Sequence, residues 1–545
     1  MIKVFFGTQA LVENSNIANA MKTGMEVDSV SVFGNFSGTR INAFPAAINY
    51  CRRILLLRAL EKTETPLGID ADWERQLDVL FRSDKASRKA MKDHIMSVDQ
   101  DALYTYISAA FEGMLRNDGN GLGECGKCFV EIASIAPKDV IGRLAERSIE
   151  LLPCIRSNNV ATRFLAAQAI GILAPHPDRD EVSLKKLIET LMTDVQLWST
   201  AVGADANKVH GSILALGYVL SRSSYYGRSS FIQGEIVGEV LAQFLSIIEG
   251  VKDASTREAV LNAIGQTSAS GVLTTEIIEK STLKIDGLIK LLLAEAKKGN
   301  EKAMATLGRL SITFDEPDTS TEDSPFHTII KGLYDLYELK QPEIHFTIGE
   351  ALSCVGACWD SEVLQISLDV DAGYIGRPKR SHTFEKILEK LLQDCKTTKP
   401  SLKKASGIWL FCLIQYSGHL EQIQARLREC QAAFMGLLSA REEIVQETAS
   451  RGLSLVYEQG DKELRERLVK DLVASFTGTS TQIKVHEETE LFEPGALPTG
   501  EGKSITSYKD IVSLANEVGD QSLVYKFMSL ATNAATWSTR AAFGR

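Results

Sequence analysis

Small residues recur in this chain at nearly constant intervals, each in the middle of a stretch with helical patterning: Gly171, Gly217, Gly265, Gly308, Ser353 and Ser454. Successive steps are 43–48 residues, and the last, of 101, is a double step filled by the helical segment Pro400–Gln415. Glycine inside a helix costs roughly 1 kcal/mol against alanine. A chain that keeps it at equivalent places in successive periods needs another backbone to approach closely there. Self-similarity at about 40–50 residues with helical patterning predicts an all-α fold, a HEAT/armadillo-type α-solenoid of stacked antiparallel helix pairs.

Within each period the pattern reads as two amphipathic segments. Ile141, Leu144, Ala145, Ile149 and Leu152 predict one helical stripe, and Leu165, Ala169, Ile172 and Leu173 its partner, with Ala167 and Gly171 on the partner's other side. The next period repeats this with Val209, Ile213, Leu216 and Leu220 on the apolar face and Gly211, Ala215 and Gly217 as small residues. Ser255-x-x-Glu258 and Ser439-x-x-Glu442 predict capping boxes, and Ala174-Pro-His-Pro177 a helix stop. One helix pair cannot bury its apolar faces alone, so neighbouring periods must cover them. The resulting divisions are an irregular segment 1–43, a repeat array 44–475, a polar loop insertion 476–505 and a continuing helical repeat 506–545 that is truncated.

A chain of 545 residues exceeds the size of a single core, which agrees with an extended array. The net charge of −10 argues against sequence-independent binding of nucleic acid or of an anionic membrane surface. Two short basic stretches, Arg377–Arg380 and Arg222–Arg228, read as solvated loop charge, with a localisation signal or partner contact as the alternative. Nine cysteines without framework spacing fit a reducing compartment, so cytoplasm and nucleus are the expected locations. No apolar run reaches the ~18 residues of a membrane span. The acidic stretch Asp315–Ser324 reads as a mobile loop open to phosphorylation, and 476–505 as the best local candidate for a partner-binding or mobile insertion, with a plain linker as the alternative.

Motifs with chemical content fail their context tests. Gly121-x-Gly123-x-x-Gly126 follows an amphipathic helix rather than a strand, and reads as a helix–helix turn. Gly500–Ser504 resembles the end of a phosphate loop, but Leu497 stands where the first glycine is required. Cys125-x-x-Cys128 and Cys354-x-x-x-Cys358 have the spacing of packed helix residues, and predict buried free thiols. The eight histidines are dispersed, and none joins a recognisable nucleophile or metal motif. No catalytic, cofactor-binding or metal residue is assigned, and no cofactor is expected.

The C-terminal third carries more specific elements: Glu447-Thr-Ala-Ser-Arg-Gly-Leu-Ser-Leu-Val-Tyr-Glu458, Thr489–Phe492, Ser507–Asp510, Leu523–Ala531 and Trp537 ahead of Ala541-Ala-Phe-Gly544. Their succession resembles the HEAT-repeat proteasome adaptor and scaffold family. Members of that family are longer, so this chain reads as an internal or truncated piece. The resemblance implies a non-enzymatic role: binding the 26S proteasome, bridging or stabilising its core and regulatory particles, and quality control of assembly. It places no proteasome-contact residue on this sequence. An importin-type nuclear transport receptor, or the solenoid part of a ubiquitin-pathway enzyme, are the competing readings.

Overall fold

The computed structural model describes residues 40–468, apart from 61–72, 84, 117–120, 229–234, 281–283, 317–323, 368–379, 381, 439, 441 and 466. Expectations for 1–39, 476–505 and 506–545, including Gly500–Ser504 and the C-terminal elements from Thr489 on, lie outside these residues. All regular structure among the described residues is helical. The chain divides into two compact units, one of residues 1–292 with 309–315 and 364–377, the other of 293–308 with 316–363 and 378–545.

In the first unit, α1 (Arg40–Leu60), α2 (Gln100–Leu115), α3 (Gly121–Ile135), α4 (Val160–Leu173), α5 (Glu181–Gln196), α6 (Ala204–Tyr225), α7 (Glu235–Gly250) and α8 (Ala254–Ala269) carry the repeat. Helices α3, α4, α6 and α8 pack in succession as one row, with α2, α5 and α7 laid against them. In the second unit the row is α9 (Glu301–Leu310, through Gly308), α10 (Pro342–Ala357), α12 (Pro400–Ser417) and α14 (Glu443–Gln459). Against it lie α11 (His382–Asp394) and α13 (Leu427–Leu437). Each unit is an α-solenoid stack of helix pairs, as the period predicts.

The small residues hold the rows together. A Cβ on Gly171 would lie 2.5 Å from Cβ of Tyr218, the residue after Gly217. One on Gly217 would lie 2.8 Å from Cα of Ala263, and one on Gly308 would lie 2.7 Å from Cα of Ala351. Each meets the next helix of its row near that helix's own small residue. Ser353 makes the contact with a hydroxyl, bonding Oγ of Ser417 in α12 at 2.9 Å and Oγ of Ser361 at 2.8 Å.

Local signals set most helix starts. Asp99 caps α2, Asn159 caps α4 and Asp180 caps α5, each accepting a first-turn N–H, and Pro342 and Pro400 occupy the first turns of α10 and α12. Five local expectations are corrected. The cap of α8 is Asp253, whose carboxylate takes N–H and Oγ1–H of Thr256 at 2.7 Å, so Ser255 is already inside the helix. Helix α14 begins at Glu443 and not from a box at 439–442. Gly121–Gly126 forms the first turns of α3 rather than a turn between helices. The stripe from Ile141 to Leu152 is not one helix: it breaks into the short helix Lys138–Gly142 and a 3-10 segment Ala145–Leu151, leaving Ile149 51% exposed. Helix α1 starts at Arg40, inside the segment 1–43 expected to be irregular.

A buried ion group fastens the start of the first unit. Arg52 of α1, with no exposed surface, donates to Asp78 and to Glu131 of α3, and Lys127 completes the group at 2.8 Å from Asp78. Removing Arg52 withdraws its buried cation from both carboxylates, with Lys127 still on Asp78, so Arg52→Met is expected to cost about 3–5 kcal/mol. A urea titration of the two proteins compares them, and a loss below ~1 kcal/mol would mean that the carboxylates find water instead.

Candidate functional site

Groups with chemical potential are withdrawn from solvent. All nine cysteines are free and buried. Burial pushes the thiol of Cys51 up to about 11 and those of Cys128, Cys395 and Cys430 up to about 12, which holds them as unreactive thiols. Cys125, Cys128 and Cys354 sit inside helices as the spacing predicts. Cys358 lies just past the end of α10, at φ 52°, the sole non-glycine positive φ among the described residues. No group of three or more His, Cys, Asp or Glu side chains among the described residues is placed to hold a metal ion.

The buried histidines serve the packing. His176 lies 3.0 Å from the carbonyl of Lys138, and its Nδ1 accepts the N–H of Asp178 at 3.2 Å. Nδ1 of His210 in α6 accepts Nε–H of Arg163 in α4 at 3.1 Å, and the same guanidinium reaches the carbonyl of Ser157 at 2.6 Å and Oδ1 of Asn207 at 2.9 Å. Burial, with the Arg163 guanidinium second, pushes His210 down to about 4.

The described arginines of the basic stretches are also structural, which corrects their reading as solvated loop charge. Arg228 donates to the carbonyls of His176, Pro177 and Arg179, and so caps the Pro-rich turn after α4. Arg222 is buried within α6. Arg380 is buried, donates to the carbonyl of Val355 at 2.7 Å and stacks on Phe326 at 4.5 Å. Residues 377–379 lie outside the described set. In the acidic stretch, Ser324 is an N-cap that accepts N–H of His327, while 317–323 lie outside.

In the second unit a polar and aromatic strip crosses the row from helix to helix. Thr347 bonds Glu301 at 3.0 Å, Tyr416 bonds Glu350 at 3.0 Å, and Arg451 covers Phe411 at 4.9 Å within 3.9 Å of Glu447. Phe346 meets Phe411 edge to face. In the first unit Gln168 bonds Tyr218 at 3.1 Å across α4 and α6. Val160 and Val202 stand 43% and 78% exposed at the N-terminal ends of the same two helices, and Leu197 stands 43% exposed at the C-terminal end of α5. The period alone does not point to these residues, because it marks where helices touch and not which side chains are left outward.

Stacked helix pairs of this kind define a helical-repeat solenoid. No family model matches the chain. It is 29% identical over 526 residues to "Proteasome component ECM29" of Saccharomyces cerevisiae, covering 91% of this chain and 26% of that protein. It is 28% identical over 447 residues to the human "Proteasome adapter and scaffold protein ECM29", covering 76% of this chain and 23% of that protein. A Drosophila melanogaster "Proteasome-associated protein ECM29 homolog" is 30% identical over 277 residues, 50% of this chain and 14% of that protein. The resemblance to the proteasome adaptor and scaffold proteins therefore extends well beyond the C-terminal elements. The chain spans about a quarter of the length of the first two of these relatives. Among solved structures, karyopherin Kap121p is similar at TM-score 0.33 and 12% identity over 85% of this chain and 42% of that one. Kap95p in its RanGDP complex is similar at TM-score 0.32 and 10% identity over 86% and 61%. Likeness at this level carries nothing about function.

Proposed function

We propose that this chain is part of a non-enzymatic scaffold that binds the 26S proteasome, stabilises or bridges its core and regulatory particles, and acts in quality control of proteasome assembly in cytoplasm and nucleus. The observation that carries the reading is the similarity along 91% of the chain to a protein named as a proteasome component. The physical form supports it: stacked helix pairs give an extended surface suited to a large partner. Tagged chain incubated with purified 26S proteasome is expected to comigrate with it on native gels and to crosslink to its subunits. Capture of a Ran-type GTPase without proteasome subunits would favour the importin-type reading instead. A fluorescent fusion should distribute between cytoplasm and nucleus, and confinement to an organelle lumen would contradict that placement.

A further inference from the structure

Three buried polar atoms in the second unit, on the neighbouring helices α10 and α12, have no partner in the protein: Nδ1 of His345, Nε1 of Trp409 and Oγ of Ser406. None of these three side chains has exposed surface. His345 Nε2 lies 2.8 Å from the carbonyl oxygen of Leu339, which can only accept, so the ring proton sits on Nε2 and Nδ1 presents a lone pair. Trp409 Nε1 is a donor only. The two rings stand 6.0 Å apart, inclined by 57°, without a hydrogen bond between them. Ser406 lies three residues before Trp409, one turn away on α12.

Closing the helices to make a direct bond is blocked one turn along. A Cβ on Gly349 of α10 would already lie 2.8 Å from Cβ of Cys412 and 3.2 Å from Cα of Trp409, so the backbones are at their limit. A buried donor and acceptor left apart are costly, and a site with two to four polar partners is one that water fills.

We propose that one ordered water is held between α10 and α12. It donates to His345 Nδ1 and to Ser406 Oγ, and accepts Nε1–H of Trp409. Each of the three orphaned atoms then has one partner. The water is then an integral part of the packing between two consecutive repeats.

The test is a crystal structure of the full chain at a resolution that shows ordered solvent, with the indole N–H signal of Trp409 followed in solution. The expected result is a solvent peak within hydrogen-bond distance of all three atoms, and magnetisation transfer from a long-lived water to that indole proton. Ser406→Ala is expected to keep the fold, lower the occupancy of the peak and reduce Tm by roughly 2–4 °C. A direct Nε1–Nδ1 bond, or an imidazole turned so that Nδ1 meets another donor, with no solvent peak, overturns the proposal. So does a Ser406→Ala protein with unchanged Tm and unchanged indole transfer. Trp409→Phe adds a check by removing the donor while keeping a ring, and the Ser406→Ala arm decides the matter should that variant fail to fold.

Discussion

Replacing Gly217 with alanine is expected to destabilise the first unit by about 1–3 kcal/mol, although alanine is the better helix former by roughly 1 kcal/mol. The added methyl would sit 2.7 Å from Cβ and 2.8 Å from Cα of Ala263, and backbone cannot step aside as a side-chain tip can. Gly211→Ala should be the worst of the series, because its Cβ would overlap the carbonyl oxygen of Ile155 and lie 2.8 Å from the carbonyl carbon. Gly238, near the start of α7, has open space where a methyl would go, with nothing within 4 Å. Gly238→Ala is therefore expected to stabilise by ~0.5–1 kcal/mol. Urea midpoints of the three variants, with hydrogen exchange across α4, α6 and α8, make the comparison. Equal and small effects at all three positions would remove close helix approach as the cause of the period.

Acid is expected to loosen the first unit well before its carboxylates are neutralised. An unfolded histidine titrates near 6.5, whereas His210 is held down to about 4, by burial first and the Arg163 guanidinium second. Its Nδ1 receives Nε–H of Arg163, and protonation there would set two cations against each other in a buried contact. Asp253, the cap of α8, is the acidic group that partly offsets this. A folded pKa below the unfolded one means that the neutral form is favoured by folding. The stabilisation is therefore complete above pH 6.5 and is lost as pH falls toward 4, by up to about 3 kcal/mol. Burial also lowers His176 in this unit and His345 in the other, so both add to the slope in the same direction. Measured from pH 7 to 4, the urea midpoint should fall steadily. His210→Gln, which can still accept from Arg163, should flatten that fall; an identical slope in this variant would show that the proton goes elsewhere.

Particular residues show what is legible in the sequence. Gly171, Gly217 and Gly308 can be placed at helix contacts because a buried glycine inside a helix has few other physical reasons to recur. Cys125 and Cys128 can be read as buried because three-residue spacing on an apolar helix face leaves them no other side. Arg222, Arg228 and Arg380, by contrast, defeat a local reading. A basic cluster near a turn is normally solvated, and the carbonyls that receive Arg228 lie about fifty residues away along the chain. The break in the stripe from Ile141 to Leu152 is masked by the regular spacing of its apolar residues. The cross-helix strip through Glu350, Tyr416 and Arg451 has no local signal at all.

By itself, then, the sequence determined the class of fold, the places where consecutive repeats touch, the resemblance to proteasome scaffolds and the absence of a recognisable catalytic motif. These follow from periodicity, helix propensity and short-range spacing, which are properties of neighbouring residues. Only the tertiary structure decided which charges are buried, which histidines are locked by hydrogen bonds and which side chains face outward along the rows. Those depend on pairing across one or more whole repeats, where the energy of each contact is set by a partner that local pattern does not specify.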